Sequence, residues 1–324
     1  MRKLFVVSTL LIVSIAAIYF SACNNNKTEP EAATSNKDSL DNVLKRGEYL
    51  VTSVAACLDC HSKRDYTKYS GPVIAGTEGM GGEVFDHKLF DAMPGTVYAR
   101  NITSDPETGI GAWTDEEVLR AMTQGISKNG DTLFPIMPYA NLNHMAKQDL
   151  LSIIAYIRTL KPIKNKVLPR QLMIPISLAY PAPALEASVD NNVSPPESDR
   201  VKYGEYLVNF ADCGTCHTPF VKGQPDFSRL FAGGNILNPG EFKVTSANIT
   251  PDSATGIGTW TEERFLNKFA PYREEKGYDF NPGKQNTIMP VSVYAGMKDD
   301  DLKAIYAYLH SLRPISNKVE KYPK

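Results

Sequence analysis

The 324-residue sequence predicts a mainly α-helical protein of two tandem domains, each a few short helices wrapped round a covalently attached group. Three observations carry this. The chain repeats itself along almost its whole length, and each copy opens with the same cysteine-cysteine-histidine motif. Between the motifs, apolar residues fall at helical spacing, and no convincing strand alternation appears. At 42% apolar and 22% charged residues the composition is globular, with room for about two domains.

In chain order, Met1-Arg2-Lys3 is a short positive start, and Leu4 to Phe20 is an apolar run. Together they predict a secretory signal over residues 1–22, with a permanent membrane span as the rival reading. Phe20-Ser21-Ala22-Cys23 resembles a bacterial lipoprotein cleavage site, so Cys23 is expected to become a lipidated first residue. Several acyl chains on one residue give a stable anchor. Residues 23–41, rich in Asn, Thr, Glu and Ser, then form a flexible tether. The protein is therefore expected outside the cytoplasm, anchored by lipid to a bacterial membrane and facing the periplasm.

Residues 42–170 and 200–324 are the two copies of the repeat. Gly47-Glu48-Tyr49-Leu50-Val51 returns as Gly204-Glu205-Tyr206-Leu207-Val208. Asn101-Ile102-Thr103, followed by Thr108-Gly109-Ile110-Gly111 and Trp113-Thr114, returns from Asn248 through Thr261. Ile136-Met137-Pro138 returns as Ile288-Met289-Pro290, and Leu160-Lys161-Pro162-Ile163 as Leu312-Arg313-Pro314-Ile315. Helices are expected over Asn42 to Val54 and Val201 to Phe210, each leading into a motif. Thr114-Asp115-Glu116-Glu117 is a capping box for a helix to about Gln124, with Gly125 as its stop. Its counterpart keeps Thr261 but has Arg264 at the third position, so that cap is weaker. Closing helices are expected over Lys147 to Leu160 and Asp299 to Leu312, the first with an apolar stripe of Leu150, Ile153, Ile154 and Ile157. Between the copies, residues 171–199 hold five prolines, four acidic residues and no Lys or Arg, the composition of an extended surface connector.

The five cysteines are Cys23, Cys57, Cys60, Cys213 and Cys216. After the lipid the other four fall into Cys57-Leu58-Asp59-Cys60-His61 and Cys213-Gly214-Thr215-Cys216-His217. Two thiols one helical turn apart can form thioethers to both haem vinyl groups while the adjacent histidine reaches the iron. A redox dithiol, a zinc half-site or disulfides would fit one such motif, but two copies each followed by histidine point to two covalent haem c groups. Small domains of this size have thin apolar cores, which a buried haem would enlarge.

The second axial position decides between a closed iron that carries electrons and an open one that binds small molecules. Met137 and Met289 sit in register inside Ile-Met-Pro, before the closing helix, where the proline fixes the backbone. They are read as the iron's second ligands, His61 and His217 being the first. Methionine stabilises ferrous iron and raises the potential. Met93 has no counterpart, and Met145 and Met297 read as packing at the start of the last helix. His87, His144 and His310 are unmatched and read as surface residues. Asn101, Trp113, Asn248 and Trp260 either cover the haems or donate to their propionates, or serve plain loop packing.

With these motifs in place, the string from Asn-Ile-Thr through Thr-Gly-Ile-Gly-x-Trp-Thr, set between C-x-x-C-H and Ile-Met-Pro, resembles the cytochrome c subunits of membrane-bound bacterial alcohol, aldehyde and gluconate dehydrogenases. The resemblance covers nearly all of residues 42–319. It implies two tandem cytochrome c-like domains, with Cys57, Cys60, His61 and Met137 holding one haem and Cys213, Cys216, His217 and Met289 the other. It also implies a dehydrogenase as electron donor and quinone, a cytochrome or a terminal oxidase as acceptor. The chain departs from that family in having two haem domains where three are typical, and a lipid in place of other membrane attachment.

The expected function is therefore a dihaem electron carrier rather than an enzyme with a catalytic residue. The alternative is a haem enzyme, peroxidase-like or thiosulfate-oxidising, with an open or switchable axial position. The former needs an open iron where both copies offer methionine, and the latter a spare thiol. A formal charge of −1, or −3 once Arg2 and Lys3 are removed, excludes nucleic acid as partner.

Overall fold

A computed structural model describes residues 31–176 and 185–323. The signal segment, Cys23 and the start of the tether lie outside the described residues. The first helix, α1, spans Glu31–Tyr49 and so begins earlier than the sequence suggested, within the segment expected to be tether. Glu31, Ala32 and Ala33 are good helix formers, which composition read as tether did not weigh. Its last turns pass into a π-helical stretch, Leu50–Val54. Then follow α2 (Cys57–His61), α3 (Asp115–Gln124), α4 (Tyr139–Leu142) and α5 (Lys147–Ile157). After the connector come α6 (Arg200–Phe210), α7 (Cys213–His217), α8 (Glu262–Leu266), α9 (Val291–Tyr294) and α10 (Asp299–Ser311).

The local signals act as their chemistry requires. Thr114 Oγ1 accepts the Glu117 amide at 3.2 Å, and Glu117 returns a carboxylate to the Thr114 amide at 2.9 Å. Gly125 closes α3 at φ 65°. Thr261 Oγ1 accepts the Arg264 amide at 3.1 Å with no carboxylate to reciprocate, and α8 is five residues long against ten for α3. The Leu150, Ile153, Ile154 and Ile157 stripe of α5 is wholly inside.

Short strands are present that the sequence did not announce. β1 (Val84–Phe85), β2 (Gly95–Tyr98) and β3 (Gln171–Leu172) form a three-stranded antiparallel sheet, with Gly95 opposite Leu172. In the second copy, Phe220–Val221 pairs with Gln224–Pro225 and Ile236–Leu237 with Val244–Thr245. All but β2 are two residues long, too short for an alternating pattern to show.

Asn42–Lys324 forms one compact unit of the chain; of the other, Met1–Asp41, the described part is helical. The main core of the larger unit is an apolar cluster fed by both copies, from Leu50, Val51 and Val54 to Leu207, Val208, Leu302 and Ile305, with two small clusters beside it. Each of these side chains stabilises the fold by roughly 1.5–3 kcal/mol through burial. The helix before each motif crosses the closing helix at a glycine. A Cβ on Gly47 would lie 1.9 Å from the Ser152 carbonyl oxygen, and one on Gly204 1.9 Å from that of Ala304.

The copies also exchange polar contacts. Tyr206 Oη donates to Asp149 Oδ2 at 2.7 Å and accepts the Ala146 amide at 3.2 Å. Its counterpart Tyr49 donates to Asp301 and accepts the Lys298 amide. Asp149 is further gripped by Arg46 through two bonds of 2.8 and 2.7 Å. The connector is more tied down than its composition implied: Asn192 Nδ2 donates to the Asn143 and Met145 carbonyls, and Val189 is buried. Residues 177–184 of it lie outside the described residues.

Candidate haem-binding site

Each motif is a one-turn helix entered through a left-handed residue, Ala56 before Cys57 and Asp212 before Cys213, both at φ 50° and ψ 37°. That conformation costs a non-glycine residue of order 1–3 kcal/mol and persists because the preceding helix and the core over-determine it. It turns the chain sharply, so that the motif starts against the helix that leads into it.

All four motif thiols are unpaired. Among the described residues no group of three or more His, Cys, Asp or Glu is placed to hold a metal ion. Cys60 and Cys216 are exposed and Cys57 and Cys213 half-buried, yet burial pushes the thiols of Cys57, Cys213 and Cys216 up to about 12 and that of Cys60 higher still.

The two histidines are held identically. His61 Nδ1 bonds the Arg100 carbonyl at 2.7 Å, and His217 Nδ1 the Ala247 carbonyl at 2.7 Å. A carbonyl can only accept, so Nδ1 carries the hydrogen and Nε2 keeps its lone pair. Burial lowers the pKa of both rings and keeps them neutral, against a smaller opposing effect of the carbonyls. The donor set therefore suits an iron at Nε2.

A glycine also ties each histidine's own backbone to the segment that carries the acceptor. The Gly81 amide donates to the His61 carbonyl at 2.8 Å and that of Gly233 to the His217 carbonyl at 2.6 Å. A Cβ on Gly81 would sit 2.5 Å from the Arg100 carbonyl carbon, and one on Gly233 2.4 Å from that of Ala247. Both glycines have positive φ, so no side chain substitutes well. The sequence reading missed them, although the repeated pairs Gly81-Gly82 and Gly233-Gly234 carried the signal.

Met137 and Met289 are partly buried and pack on the same core cluster as Cys57 and Cys213. Both lie just before a four-residue helix, α4 and α9. Met145 and Met297 are fully inside, as packing residues should be, and Met93 belongs to a separate small cluster with Val97 and Phe134.

The asparagines expected near the propionates are committed elsewhere. Asn101 Nδ2 donates to the Ile163 carbonyl at 2.8 Å and to Thr108 Oγ1 at 3.1 Å, while Oδ1 accepts from Thr103. Asn248 does the same with Ile315, Thr255 and Thr250. Neither amide has an N–H left, so both serve loop packing. Trp113 and Trp260 are partly buried against the core, and Arg264 lies over the Trp260 ring at 4.7 Å. His87 and His144 are exposed as expected. His310 is not a surface residue: it is half-buried and lies on Tyr306 with ring centroids 4.0 Å apart, because the last turn of α10 packs inward.

Charged residues without repeat counterparts gather beside the motifs. Asp59, inside the first, pairs with the buried Arg64 at 3.0 Å, yet its Oδ1 has no partner. Burial raises the Asp59 carboxyl to about 6 despite Arg64. Asp212 accepts from Asn141 and Thr215, and burial raises it to about 7. Asp59 and Arg64 act electrostatically on Cys216, and Asp212 on Cys60, which brings the two motifs within reach of one another.

Comparison with known proteins agrees with this chemistry. Residues 201–313 match the cytochrome c family. The chain is 30% identical over 293 residues to the cytochrome c subunit of the quinone alcohol dehydrogenase of Gluconobacter oxydans, covering 86% of this chain and 57% of that one. It is 30% identical over 297 residues to the gluconate 2-dehydrogenase cytochrome c subunit of Pantoea cypripedii, covering 87% and 62%. A diheme cytochrome c-type protein of Cereibacter sphaeroides is 28% identical over 320 residues, covering 95% and 98%. The chain thus spans about three fifths of the length of the two dehydrogenase subunits.

Proposed function

We propose that this chain, which contains a cytochrome c domain and is homologous to the cytochrome c subunits of alcohol, gluconate and fructose dehydrogenases, is a dihaem electron carrier built from two tandem cytochrome c-like domains, residues 42–170 and 200–324 joined by the connector at 171–199. Cys57 and Cys60 would hold one haem by thioethers and Cys213 and Cys216 the other. His61 with Met137, and His217 with Met289, would close the two irons. A haem c supplies one-electron exchange between ferric and ferrous iron.

The observation that carries the reading is the repeated histidine geometry. A ring locked at Nδ1 by a backbone carbonyl presents Nε2 in one tautomer and one orientation, and the 2.7 Å bond recurs in both copies. A hydrogen-bonded, neutral imidazole is a better iron ligand than a free one. The Cereibacter protein, similar over nearly its full length and named diheme, supports a count of two. The dehydrogenase subunits support a dehydrogenase as donor, with a cytochrome or terminal oxidase as acceptor. Export and a lipid on Cys23 would place the carrier on a membrane facing the periplasm; among the described residues no helix is long and apolar enough to cross one.

The test is a visible spectrum of the purified, dithionite-reduced protein with and without carbon monoxide, normalised to haem per chain. Two covalent haems that ignore carbon monoxide are expected. Rapid binding at either haem would overturn a methionine assignment and favour a haem enzyme.

A further inference from the structure

The loop that carries Met289 is held by the other copy of the repeat. Ser70, wholly buried, follows the first motif in the chain. Its hydroxyl donates to the Met289 carbonyl at 2.8 Å and accepts the Val291 amide at 2.8 Å, so it brackets the methionine on its C-terminal side. The Ser70 amide donates to Asn286 Oδ1 at 2.9 Å. Asn286, also wholly buried, donates from Nδ2 to the carbonyls of Tyr66 at 2.8 Å and Lys68 at 3.1 Å. Arg64 reaches the Ile288 carbonyl at 3.4 Å, while its other bonds, to the Ser70 and Gly71 carbonyls at 2.6 and 2.7 Å, fix the segment from which Ser70 acts.

The Met137 loop shares the inner bond: the Tyr139 amide donates to the Met137 carbonyl at 2.7 Å, as the Val291 amide does to that of Met289. The Met137 amide donates to Phe134 of its own copy, and the Ser70 hydroxyl is the added tie in the Met289 loop. The brace is therefore one-directional: residues 64–70 hold the second methionine loop, and the counterpart of Arg64 in the second copy, Phe220, has no guanidinium with which to return it.

We propose that Ser70 is a positioning residue for Met289, so that the ligation and potential of the second haem are set by a segment of the first copy. The inference rests on the reading of Met289 as an iron ligand. Without the hydroxyl, the Met289 carbonyl and the Val291 amide keep only their bond to each other, and the loop loses its tie to the segment at residues 64–70 at that point and shifts. Sulfur then leaves iron part of the time, which lowers the potential and admits an outside ligand.

The experiment uses the full chain with both haems and the variants Ser70→Ala, Ser70→Gly and Met289→Ala. Ser70 stands at φ 68°, which glycine adopts freely, so Ser70→Gly removes the same hydroxyl without backbone strain and guards against misfolding of the alanine form. Haem per chain, the far-red band of methionine-ligated ferric haem, carbon monoxide binding and the two potentials are read together. The expected result for both Ser70 variants is two haems, a far-red band falling toward half, carbon monoxide binding rising from none toward one per chain, and one potential lowered while the other stays. Met289→Ala should show the same change in full. If Met289→Ala opens one iron while both Ser70 variants keep the parent's spectra and potentials, the loop holds itself and the inference fails. Equal change at both haems would mean general loosening, which also overturns it. A Met289→Ala protein that excludes carbon monoxide removes the ligation reading itself.

Discussion

Replacing Gly204 by alanine should destabilise the protein by about 2 kcal/mol, although alanine is the better helix former. At Gly204 the helix α6 crosses α10 so closely that an added Cβ would lie 1.9 Å from the Ala304 carbonyl oxygen, 2.5 Å from its carbon and 2.9 Å from Tyr308 Cβ. Ordinary contact starts near 3.4 Å, so the two helices must part by roughly 1.5 Å, and the obstacle is backbone that cannot swing aside. A gap of about 0.5–1 Å already forfeits a quarter to a half of the dispersion attraction across it. The side chains that would lose it, Leu207, Val208, Leu302 and Ile305, are all at most 5% exposed. Overpacking of this kind costs typically 1–3 kcal/mol; taking about 3 for a backbone clash and returning about 1 for helix preference leaves about 2. Thermal unfolding of the haem-loaded protein, followed by far-UV circular dichroism, should then shift down by roughly 4–8 °C. Gly47→Ala repeats the test at Ser152, where the clash is also 1.9 Å. Unchanged or higher stability in both variants would refute the account of why these positions are glycine.

Thr114→Ala removes the hydroxyl half of a capping box, the acceptor of the Glu117 amide, and should cost about 1 kcal/mol in urea unfolding; Thr261→Ala removes the matching acceptor of the Arg264 amide and should cost less, because its helix is half as long. Asp149→Asn breaks a two-point Arg46 contact and weakens the acceptor of Tyr206; since Arg46 is 27% exposed, the loss should be about 2 kcal/mol, below the full range for a buried pair, by the same measurement. Asp212 has its folded pKa raised to about 7, so its contribution to stability is complete below about pH 4 and is lost as pH rises through 7. Unfolding midpoints of Asp212→Asn should lack that decline between these limits; a parallel decline in parent and variant would assign it to another group.

The two Cys-x-x-Cys-His motifs were legible in the sequence because their spacing is local: two thiols and a histidine need only one helical turn. Helix limits were also legible where a cap marked them, as at Thr114 and Gly125, whereas the closing helix of the first copy, expected to run to Leu160, ends at Ile157. The repeat itself pointed to paired positions such as Gly47 and Gly204 or Tyr49 and Tyr206, but not to what they touch. Tyr206 reaches Asp149 of the other copy, and no spacing distinguishes that from a contact with Asp301 of its own. Residues without counterparts were silent: Asp59, Arg64, Ser70 and Asn286 are buried polar groups, and three of the four have a partner more than 200 positions away. The choice between haem contact and loop packing for Asn101 and Asn248 stayed open in the sequence for a related reason. A repeated polar side chain signals a repeated role, and saturation of an amide by its own loop is visible only when the partners are in place.

The contacts Tyr49 to Asp301 and Tyr206 to Asp149 have the reciprocity of an isologous interface, in which position i meets j and j meets i. In a true homodimer such an interface dissolves on dilution, and every substitution strikes it twice. Here the partner arrives on the same polypeptide, so the pairing is indifferent to concentration. Each side is also encoded separately and can drift alone, which is why Arg46 and Asn141 stand on one side where Tyr203 and Val293 stand on the other. The molecule keeps the economy of a symmetrical pair while leaving its two Cys-x-x-Cys-His motifs free to acquire unequal surroundings.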